Sequence, residues 1–403
     1  MRVFPGWFVV AGAFAVMFVA YGAQYSFGVF FAAMLAEFGW SRGSLSGAFS
    51  LYALAYCLLG FVAGRLTDAW GPRAVIAAGG IFLGAAYAGM ALVSELWHPY
   101  VLYGFVASIG MATAFVPANS TIVRWFVRRR GLAVGLATSG QSAGMLVAAP
   151  LAQILVSMVG WRVTYVVFGI VLFVALNAVA PVMRRDPEAL GLSPDGDPRP
   201  LATTMEITRG LTLAAAARTG AFWALMATFS ATWIPVFVAI VHAVPLARDL
   251  GHSPLVAAPL LSVLGGGAIP GRILMGALSD RIGRKFTLGT MLLIQAVAFG
   301  AFTIAASLPA LYGAAATFGF SYGAITVLFP SIIGDYFGRE RVGSLVGVFF
   351  AIAGAAGAIG PVAAGAIYDA TGSYAIAFML AAAFNVIAFV ALTLARPPAA
   401  ASR

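Results

Sequence analysis

Gly64-Arg-Leu-Thr-Asp68-Ala-Trp-Gly71-Pro-Arg73 is a short charged stretch between two long apolar runs, and it recurs as Gly276-Ala-Leu-Ser-Asp280-Arg-Ile-Gly283-Arg-Lys285. Each copy predicts a tight turn between two apolar segments. The two copies stand half a chain length apart, which predicts a protein made of two similar halves. In a chain this apolar, that arrangement is typical of a membrane transporter built on an internal repeat.

The composition excludes a water-soluble fold. Of the 403 residues, 62% are hydrophobic and only 9% are charged, whereas soluble domains carry about 25% charged residues. The net charge of +10 does not indicate a nucleic-acid partner, because the charges form short clusters between apolar runs, as in the loops of membrane proteins. Cys57 is the single cysteine, so there is no disulfide framework. The preference for Arg and Ala favours a bacterial source, and hence the cell (inner) membrane.

The apolar runs predict an all-α membrane protein with twelve transmembrane helices in two six-helix bundles. A helix needs about 20 apolar residues to cross about 30 Å of hydrocarbon. The first run is too long for a signal peptide, so we interpret it as a spanning helix. The predicted spans are 7–36, 43–66, 74–94, 98–123, 131–158, 162–182, 219–244, 254–279, 286–306, 309–335, 342–367 and 373–395.

The basic residues predict the orientation. The chain ends and the even-numbered loops hold nearly all Lys and Arg, whereas the odd-numbered loops hold Arg42, Arg162 and Arg248. By the positive-inside rule both termini are cytoplasmic. The longest loop, 183–218, is rich in Pro, Asp and Gly and predicts a flexible cytoplasmic linker between the bundles 1–182 and 219–403.

The two charged turns predict a cytoplasmic gate. An aspartate at a helix end accepts hydrogen bonds from the N-terminus of a facing helix or pairs with arginine. Asp68 and Asp280 are placed for that role, and Arg124 and Arg128 are candidate partners of Asp68. Arg73 and Lys285 complete the predicted gate. The alternative is that the turns only set the membrane topology.

One basic residue, Arg272, falls inside a predicted helix. The eight residues from 272 to 280, at about 1.5 Å each, place it about 12 Å deeper than Asp280, close to the bilayer midplane. An arginine at that depth costs at least about 2.5 kcal/mol unless it faces water or a partner. Since no Asp or Glu is predicted at the same depth, we expect Arg272 to bind an anionic substrate through its guanidinium fork. The alternative is a structural strut bound to backbone carbonyls.

Other polar residues of the predicted spans complete the candidate site. His242 changes charge near neutral pH, so it is a candidate for binding a carboxylate or carrying a coupled proton; the alternative is an interfacial histidine. The remaining candidates for substrate binding could equally serve as hydrogen-bonding links between helices. They are Tyr322, Asn119, Tyr21, Gln24, Tyr25 and Gln141.

A second duplication supports the two halves. The run Trp125-Phe126, Arg130-Gly131 and Pro150 recurs as Tyr336-Phe337, Arg341 and Pro361. Two parallel six-helix halves with a long central linker resemble the major facilitator superfamily. The pattern Gly-x-x-x-Asp-x-x-Gly-x-Arg is similar to that superfamily's signature, and the resemblance covers essentially the whole chain.

Further stretches resemble the branch that contains monocarboxylate transporters and oxalate/formate antiporters. They are Gly271-Arg272 before Gly276, Arg124-Trp125-Phe126, and the linker run Asp186-Pro187-Glu188 followed by Leu190-Gly191-Leu192. The resemblance implies that Arg272 binds the carboxylate of the substrate. It implies supporting roles for His242 and Tyr322.

The sequence differs from that branch at two positions, and both differences narrow the range of expected substrates. Ala268 stands where animal monocarboxylate transporters have an aspartate, and 342–367 lacks the lysine of oxalate carriers. A single buried cation balances a single carboxylate, so we expect a small monocarboxylate such as lactate, pyruvate or a related 2-hydroxy or 2-oxo acid, with protons as coupled partner. The alternative is an anion exchanger of the oxalate/formate type that carries dicarboxylates.

Other classes of protein are disfavoured. The sequence shows no nucleophile–base pair and no metal-ligand cluster of an enzyme. It lacks a phosphate-binding glycine-rich loop followed by Lys and Ser or Thr, so neither direct use of ATP nor a cofactor is expected. A sensor that binds acid without moving it is the remaining alternative. We expect a monomer in the lipid bilayer.

Overall fold

In the computed structural model the chain folds into helices, and no β-strand occurs in the described residues 4–40, 42–196, 210–252, 259–305 and 307–398. The longer α-helices are Gly6–Tyr25, Phe27–Phe38, Arg42–Trp70, Pro72–Met90, Ser108–Trp125, Arg130–Val179, Gly220–Asp249, Pro259–Pro270, Gly276–Ile282, Arg284–Ile304, Leu308–Phe337, Val342–Gly357, Ile359–Thr371 and Ala375–Leu394. The all-α prediction is confirmed. Parts of the predicted linker and of the loop before Pro259 lie outside the described residues.

Eleven helical stretches in these described ranges are long and apolar enough to cross a membrane, whereas the sequence predicts twelve. The difference lies in Arg130–Val182, which covers the fifth and sixth predicted spans. Within it the backbone leaves the helical conformation at Gly160, with φ of 81° and ψ of 161°. The break falls in the gap between 158 and 162 where the sequence separates the two spans.

Several of the other spans are interrupted. The first is divided at Ser26, and the span that begins at Val342 is divided at Ala358. Two spans contain a π-helical segment, Tyr100–Ala107 and Gly271–Met275. Such wide turns inside α-helices are rare and occur frequently at functional sites, and the second of them contains Arg272.

The duplicated charged turns adopt the same backbone geometry. Gly71 has φ of 82° and ψ of 161°, and Gly283 has φ of 96° and ψ of 134°. Positive φ is unfavourable for residues with a Cβ atom, which explains the glycine that closes each copy of the pattern. The next helix begins at the following residue, Pro72 or Arg284. The predicted tight turns are therefore confirmed.

The chain divides into two compact units, and each unit includes a short segment from the sequence of the other half. The first unit contains Met1–Val127, Leu136–Met205 and Val342–Ala351. The second contains Arg128–Gly135, Glu206–Arg341 and Ile352–Arg403. Each unit thus includes the start of one helix whose remainder belongs to the other. The second unit has a core of small and aromatic side chains, centred on Phe299, Phe302, Phe318 and Phe378.

Candidate functional site

Asp68 caps the start of the helix Val342–Gly357 within the first compact unit. Its carboxylate accepts hydrogen bonds from the main-chain nitrogens of Gly343 and Ser344 at 3.2 and 2.7 Å, and from the Ser344 hydroxyl at 2.6 Å. The first amides of a helix lack intrahelical partners, and a helix N-terminus carries partial positive charge. The carboxylate therefore satisfies these donors and complements the charge.

Two glycines allow this close approach. A Cβ atom on Gly64 would overlap the carbonyl group of Gly343, and a Cβ atom on Gly343 would collide with the Asp68 carboxylate. The first glycine of the sequence pattern is thus explained by packing between backbones. Any larger side chain at Gly64 would separate Asp68 from the helix end that it caps.

Asp280 makes the equivalent contact in the second compact unit. Its carboxylate accepts hydrogen bonds from the main-chain nitrogens of Gly131 and Leu132 at 2.8 and 3.0 Å, at the start of the helix Arg130–Val179. Cβ atoms on Gly276 and Gly131 would each overlap the other residue's carbonyl. The duplicated pattern therefore forms the same structure twice.

In the first unit an arginine joins the aspartate. Arg124 contacts Asp68 at 2.5 Å and Asp186 at 3.2 Å, and the side chains of Arg124 and Asp68 are only 5% and 13% exposed. The predicted pair of Arg124 with Asp68 is therefore present. Asp186 was missed, because the predicted linker gave no reason to expect a contact with the helix end. Arg128, the other candidate partner, is exposed and belongs to the second unit.

In the second unit the charges are arranged differently. Arg284 bridges Asp280 and Asp335, each at 2.6 Å, and Arg130 also pairs with Asp335. Asp335 precedes Tyr336-Phe337, as Arg124 precedes Trp125-Phe126, so the charge at this position of the repeat is reversed. The arginine that pairs with Asp280 therefore comes from a different position of the repeat, namely Arg284. Comparing the two copies position by position would have revealed this reversal.

Arg73 and Lys285, both predicted as gate residues, bind main-chain carbonyl groups. Arg73 donates to the oxygen of Pro181 from Nε at 3.2 Å and from Nη2 at 2.6 Å. Lys285 donates to the oxygens of Thr393 and Ala395 at 3.1 and 2.6 Å. Each cation thus holds the C-terminal end of the last span of its half, where a positive charge is stabilising.

Asp280→Asn is expected to lower the free energy of unfolding in detergent by about 1–3 kcal/mol, because it weakens hydrogen bonds made by a charged, nearly buried acceptor. Denaturant titration of the purified protein measures the change. Asp249→Asn makes the same substitution at an exposed residue and should have little effect. Equal stability of the two variants would contradict the inferred role of Asp280.

Arg272 is buried inside a spanning helix and is oriented by the neighbouring helix. It is 2% exposed and lies in the π-helical segment Gly271–Met275. Its Nε donates to the Thr326 hydroxyl at 3.3 Å, and the centre of its guanidinium lies 5.9 Å from the ring centroid of Tyr322. Thr326 in turn donates to the Gly323 carbonyl at 2.7 Å. Sequence reasoning identified Tyr322 but missed Thr326, one helical turn away.

Glycines bring this arginine close to its neighbours. Cβ atoms on Gly271 and Gly323 would overlap the carbonyl groups of Phe320 and Ala268, respectively. The helices that carry Arg272 and Tyr322 therefore touch through their backbones. That contact decides which side chains surround the guanidinium.

His242 is engaged on both ring nitrogens. Nε2 lies 3.0 Å from the carbonyl oxygen of Pro361, and Nδ1 lies 3.2 Å from the hydroxyl of Tyr374. A carbonyl only accepts, so Nε2 is the ring nitrogen that donates in the contact with Pro361. Tyr374 was not among the predicted site residues. It is 7% exposed and also stacks on Tyr368.

The remaining candidates belong to the first unit. Asn119 is buried and donates to the Phe115 carbonyl at 2.9 Å, and its Oδ1 has no hydrogen-bond partner in the described part of the chain. Oε1 of Gln24 is likewise buried without a partner among the described residues. Gln141 is buried, and Tyr21 packs beside Tyr25 with ring centroids 6.1 Å apart. Arg272, Tyr322 and His242 belong to the second unit.

No grouping of three or more His, Cys, Asp or Glu side chains suited to a metal ion occurs in the described ranges. The candidate side chains of the second unit are the buried guanidinium of Arg272, the imidazole of His242 and the phenol of Tyr322, and those of the first unit are neutral amide and hydroxyl groups.

Comparison with known proteins gives the family. The model of the Major Facilitator Superfamily matches residues 13–274 and 236–403. Monocarboxylate transporter 13 of Rattus norvegicus is 30% identical over 396 residues, which cover 94% of this chain and 86% of the relative. Monocarboxylate transporter 3 of Rattus norvegicus is also 30% identical, with 96% and 79% of the two chains covered.

Solved structures agree on the fold. The crystal structure of the E. coli fucose:proton symporter superposes with a TM-score of 0.70 at 16% identity, covering 96% of this chain and 98% of the symporter. The family model and the relatives are those of transporters and not of enzymes. The chain therefore belongs to the major facilitator superfamily, within its monocarboxylate-transporter branch.

Proposed function

We propose that the protein is a secondary active transporter of small monocarboxylates that works by alternating access, coupled to protons. Its twelve transmembrane helices form two six-helix bundles, 1–182 and 219–403, joined by the cytoplasmic linker 183–218. It acts as a monomer in the cell (inner) membrane with both termini in the cytoplasm. The names of its relatives support the substrate class.

The burial of Arg272 in a spanning helix is the observation that carries the proposal. A charge at that depth is costly and is retained where it has a function. The hydroxyl of Thr326 and the ring of Tyr322 contact the guanidinium group of Arg272 and orient it. Guanidinium binds a carboxylate through two parallel hydrogen bonds, which gives both affinity and orientation.

Charge balance favours a monocarboxylate. In the proposed site Arg272 supplies one fixed positive charge, which one carboxylate group neutralises. A second carboxylate would need a second cation, and the other polar candidates are neutral except for His242. Lactate, pyruvate and related 2-hydroxy or 2-oxo acids combine one carboxylate with a second oxygen. That oxygen matches the hydroxyl group of Tyr322, which lies beside Arg272.

The proposed cytoplasmic gate consists of the contacts at Asp68 and Asp280. Asp68 with Arg124, and Asp280 at the start of the helix Arg130–Val179, close the cytoplasmic side in one state and separate in the other. Arg73, Arg128 and Lys285 are proposed to support the gate. In this scheme Arg73 and Lys285 hold the ends of neighbouring helices while the gate opens.

His242 is proposed to carry the coupled proton at Nδ1. The Pro361 carbonyl keeps a proton on Nε2, so a second proton enters at Nδ1, which then donates a hydrogen bond to the oxygen of the Tyr374 hydroxyl. Protonation thereby changes a hydrogen bond that reaches the span beginning at Ala375. This rearrangement supplies the link between proton binding and helix movement.

Uptake by purified protein in proteoliposomes tests the proposal. Radiolabelled lactate or pyruvate should accumulate when the outside is more acidic than the inside, and the accumulation should disappear with a protonophore. Stimulation by an internal counter-anion, with no response to the pH gradient, would instead identify an exchanger of the oxalate/formate type. Ligand-induced thermal stabilisation without any flux would identify a sensor.

His242→Gln should remove the effect of the pH gradient on uptake while exchange between equal concentrations of acid on both sides continues. The amide keeps a donor for Pro361 but binds no proton in the physiological range. Tyr374→Phe, which removes only the partner hydroxyl, should weaken the coupling less. Gradient-driven uptake by His242→Gln at the normal rate would show that the proton travels elsewhere.

A further inference from the structure

A cleft of about 370 Å³ opens at one end of the first compact unit. It lies where the helix Arg42–Trp70 ends, the helix Pro72–Met90 begins, and the chain leaves the span that ends at Val182. Its walls are formed mainly by Trp70, Arg73, Met183, Arg184, Arg185 and Asp186. The volume lies in the lower part of the range of about 300–1,000 Å³ that is usual for small-ligand sites.

The cleft is positively charged. Arg73, Arg184 and Arg185 are all exposed, and Asp186 is the single carboxylate among its described lining residues. Asp186 is already shared between Arg124 at 3.2 Å and Nε of Arg185 at 3.3 Å. Three guanidinium groups thus face a shallow space with little negative charge of its own.

The arginines are held in place by the fold. Two nitrogens of Arg73 are bound to the Pro181 carbonyl, which fixes its guanidinium at the rim of the cleft. The main-chain oxygen of Arg184 accepts a hydrogen bond from the indole of Trp125 at 2.8 Å, which anchors the segment that carries both other arginines. The fold therefore holds the Arg73 side chain and the main chain of Arg184 at the cleft.

Apolar side chains place the cleft at the level of lipid headgroups. Trp70 is the last residue of a spanning helix and is 69% exposed, and tryptophan at such a position is typical of the membrane–water interface. Leu190, on the rim, is 40% exposed. Apolar surface beside a cluster of arginines matches a ligand with a charged head and an apolar body.

We propose that this cleft binds the phosphate headgroup of an anionic phospholipid. Arginine binds phosphate through paired hydrogen bonds, and basic pockets between spanning helices on the cytoplasmic side recognise anionic lipid headgroups. Trp70 and Leu190 contact the glycerol backbone and the start of the acyl chains. The proposal concerns lipid binding alone and is independent of the transported substrate and of proton coupling.

Native mass spectrometry of the full chain in detergent, incubated with phosphatidylglycerol or phosphatidylcholine, tests the site. Wild-type protein should retain phosphatidylglycerol in preference to phosphatidylcholine. Arg184→Gln/Arg185→Gln should lower the retention of phosphatidylglycerol by about 30-fold, since each arginine near an anionic surface contributes roughly a factor of five. Arg184→Lys/Arg185→Lys keeps both charges and should retain most of the binding.

Arg218→Gln/Arg281→Gln is the matched control, because it removes the same charge at two exposed residues outside the cleft. It should bind phosphatidylglycerol as the wild type does. If both double Gln variants lost the same amount of phosphatidylglycerol, the loss would be due to the lower net charge and not to the cleft. That result would overturn the proposal. A second arm adds inorganic phosphate: full displacement of the lipid at micromolar phosphate would assign the cleft to free phosphate and would equally overturn it.

Discussion

Arg272→Gln is expected to reduce the uptake of monocarboxylate in proteoliposomes by at least about 100-fold. Two charge-assisted hydrogen bonds to the substrate carboxylate contribute roughly 3 kcal/mol, and each 1.4 kcal/mol changes an equilibrium tenfold. Glutamine keeps a hydrogen-bond donor near Thr326 but lacks the charge. The helix should stay intact, because removing a buried charge from a spanning helix does not by itself destabilise it.

Arg272→Lys distinguishes the contribution of the positive charge from that of the planar guanidinium geometry. Lysine keeps the positive charge but cannot form the planar pair of hydrogen bonds, so transport should be partly restored with a raised KM. Thermal stabilisation by lactate or pyruvate gives an independent reading of binding, and Arg272→Gln should abolish it. Thr326→Val, which removes the hydroxyl that accepts from Nε, should raise KM with a smaller effect on the maximal rate.

Arg65→Gln provides the matched control. Arg65 is exposed in the helix Arg42–Trp70, so the same substitution there should leave uptake near the wild-type rate. If Arg272→Gln transports acid as fast as Arg65→Gln does, the carboxylate binds elsewhere. In that case the buried guanidinium has a structural role.

Gly64→Val is expected to reduce transport by more than tenfold while leaving a folded protein. A side chain at Gly64 would overlap the Gly343 carbonyl, so the helix must move away from the end that Asp68 caps. Loss of that cap removes the hydrogen bonds from Gly343 and Ser344 to the carboxylate of Asp68, which is 13% exposed. The proposed gate would then not reach its closed state, and the proposed alternating access requires both states.

Gly300→Val is the control for this change. Gly300 lies in the spanning helix Arg284–Ile304, and a Cβ atom there would meet no atom within 4 Å. Both variants should elute as a single peak in detergent, and only Gly64→Val should lose transport. The second copy of the pattern offers a repeat of the experiment, since Gly276→Val should act through Gly131 in the same way. Normal uptake by Gly64→Val would contradict the gating role.

Local pattern alone was sufficient to predict the helical fold and its turns. Runs of about 20 apolar residues predicted twelve spans, and eleven helical stretches in the described part of the chain are long and apolar enough to cross a membrane. The spacing of Gly64, Asp68 and Gly71 predicted a turn, and the structure explains each residue by backbone approach, capping or positive φ. The turn and its positive φ depend on neighbours in sequence, so one copy of the pattern is enough to indicate them.

The sequence was less informative about the candidate site. Arg272 and Tyr322 were predicted from depth in their helices and lie together in the structure. Thr326 was missed because threonines are common in spanning helices and usually bond to their own backbone. Tyr374 was missed because it precedes a helix and gives no sign that His242 reaches it.

By itself, then, the sequence determined that this chain lies in lipid, repeats a charged turn, and holds one arginine deep within a helix. Only the tertiary structure decided which helix end each aspartate caps and which arginine joins it: Arg124 for Asp68, but Arg284 for Asp280. The physical reason is that capping and ion pairing depend on which backbones approach each other. That approach is set by glycine contacts between residues such as Gly64 and Gly343, which lie far apart along the chain.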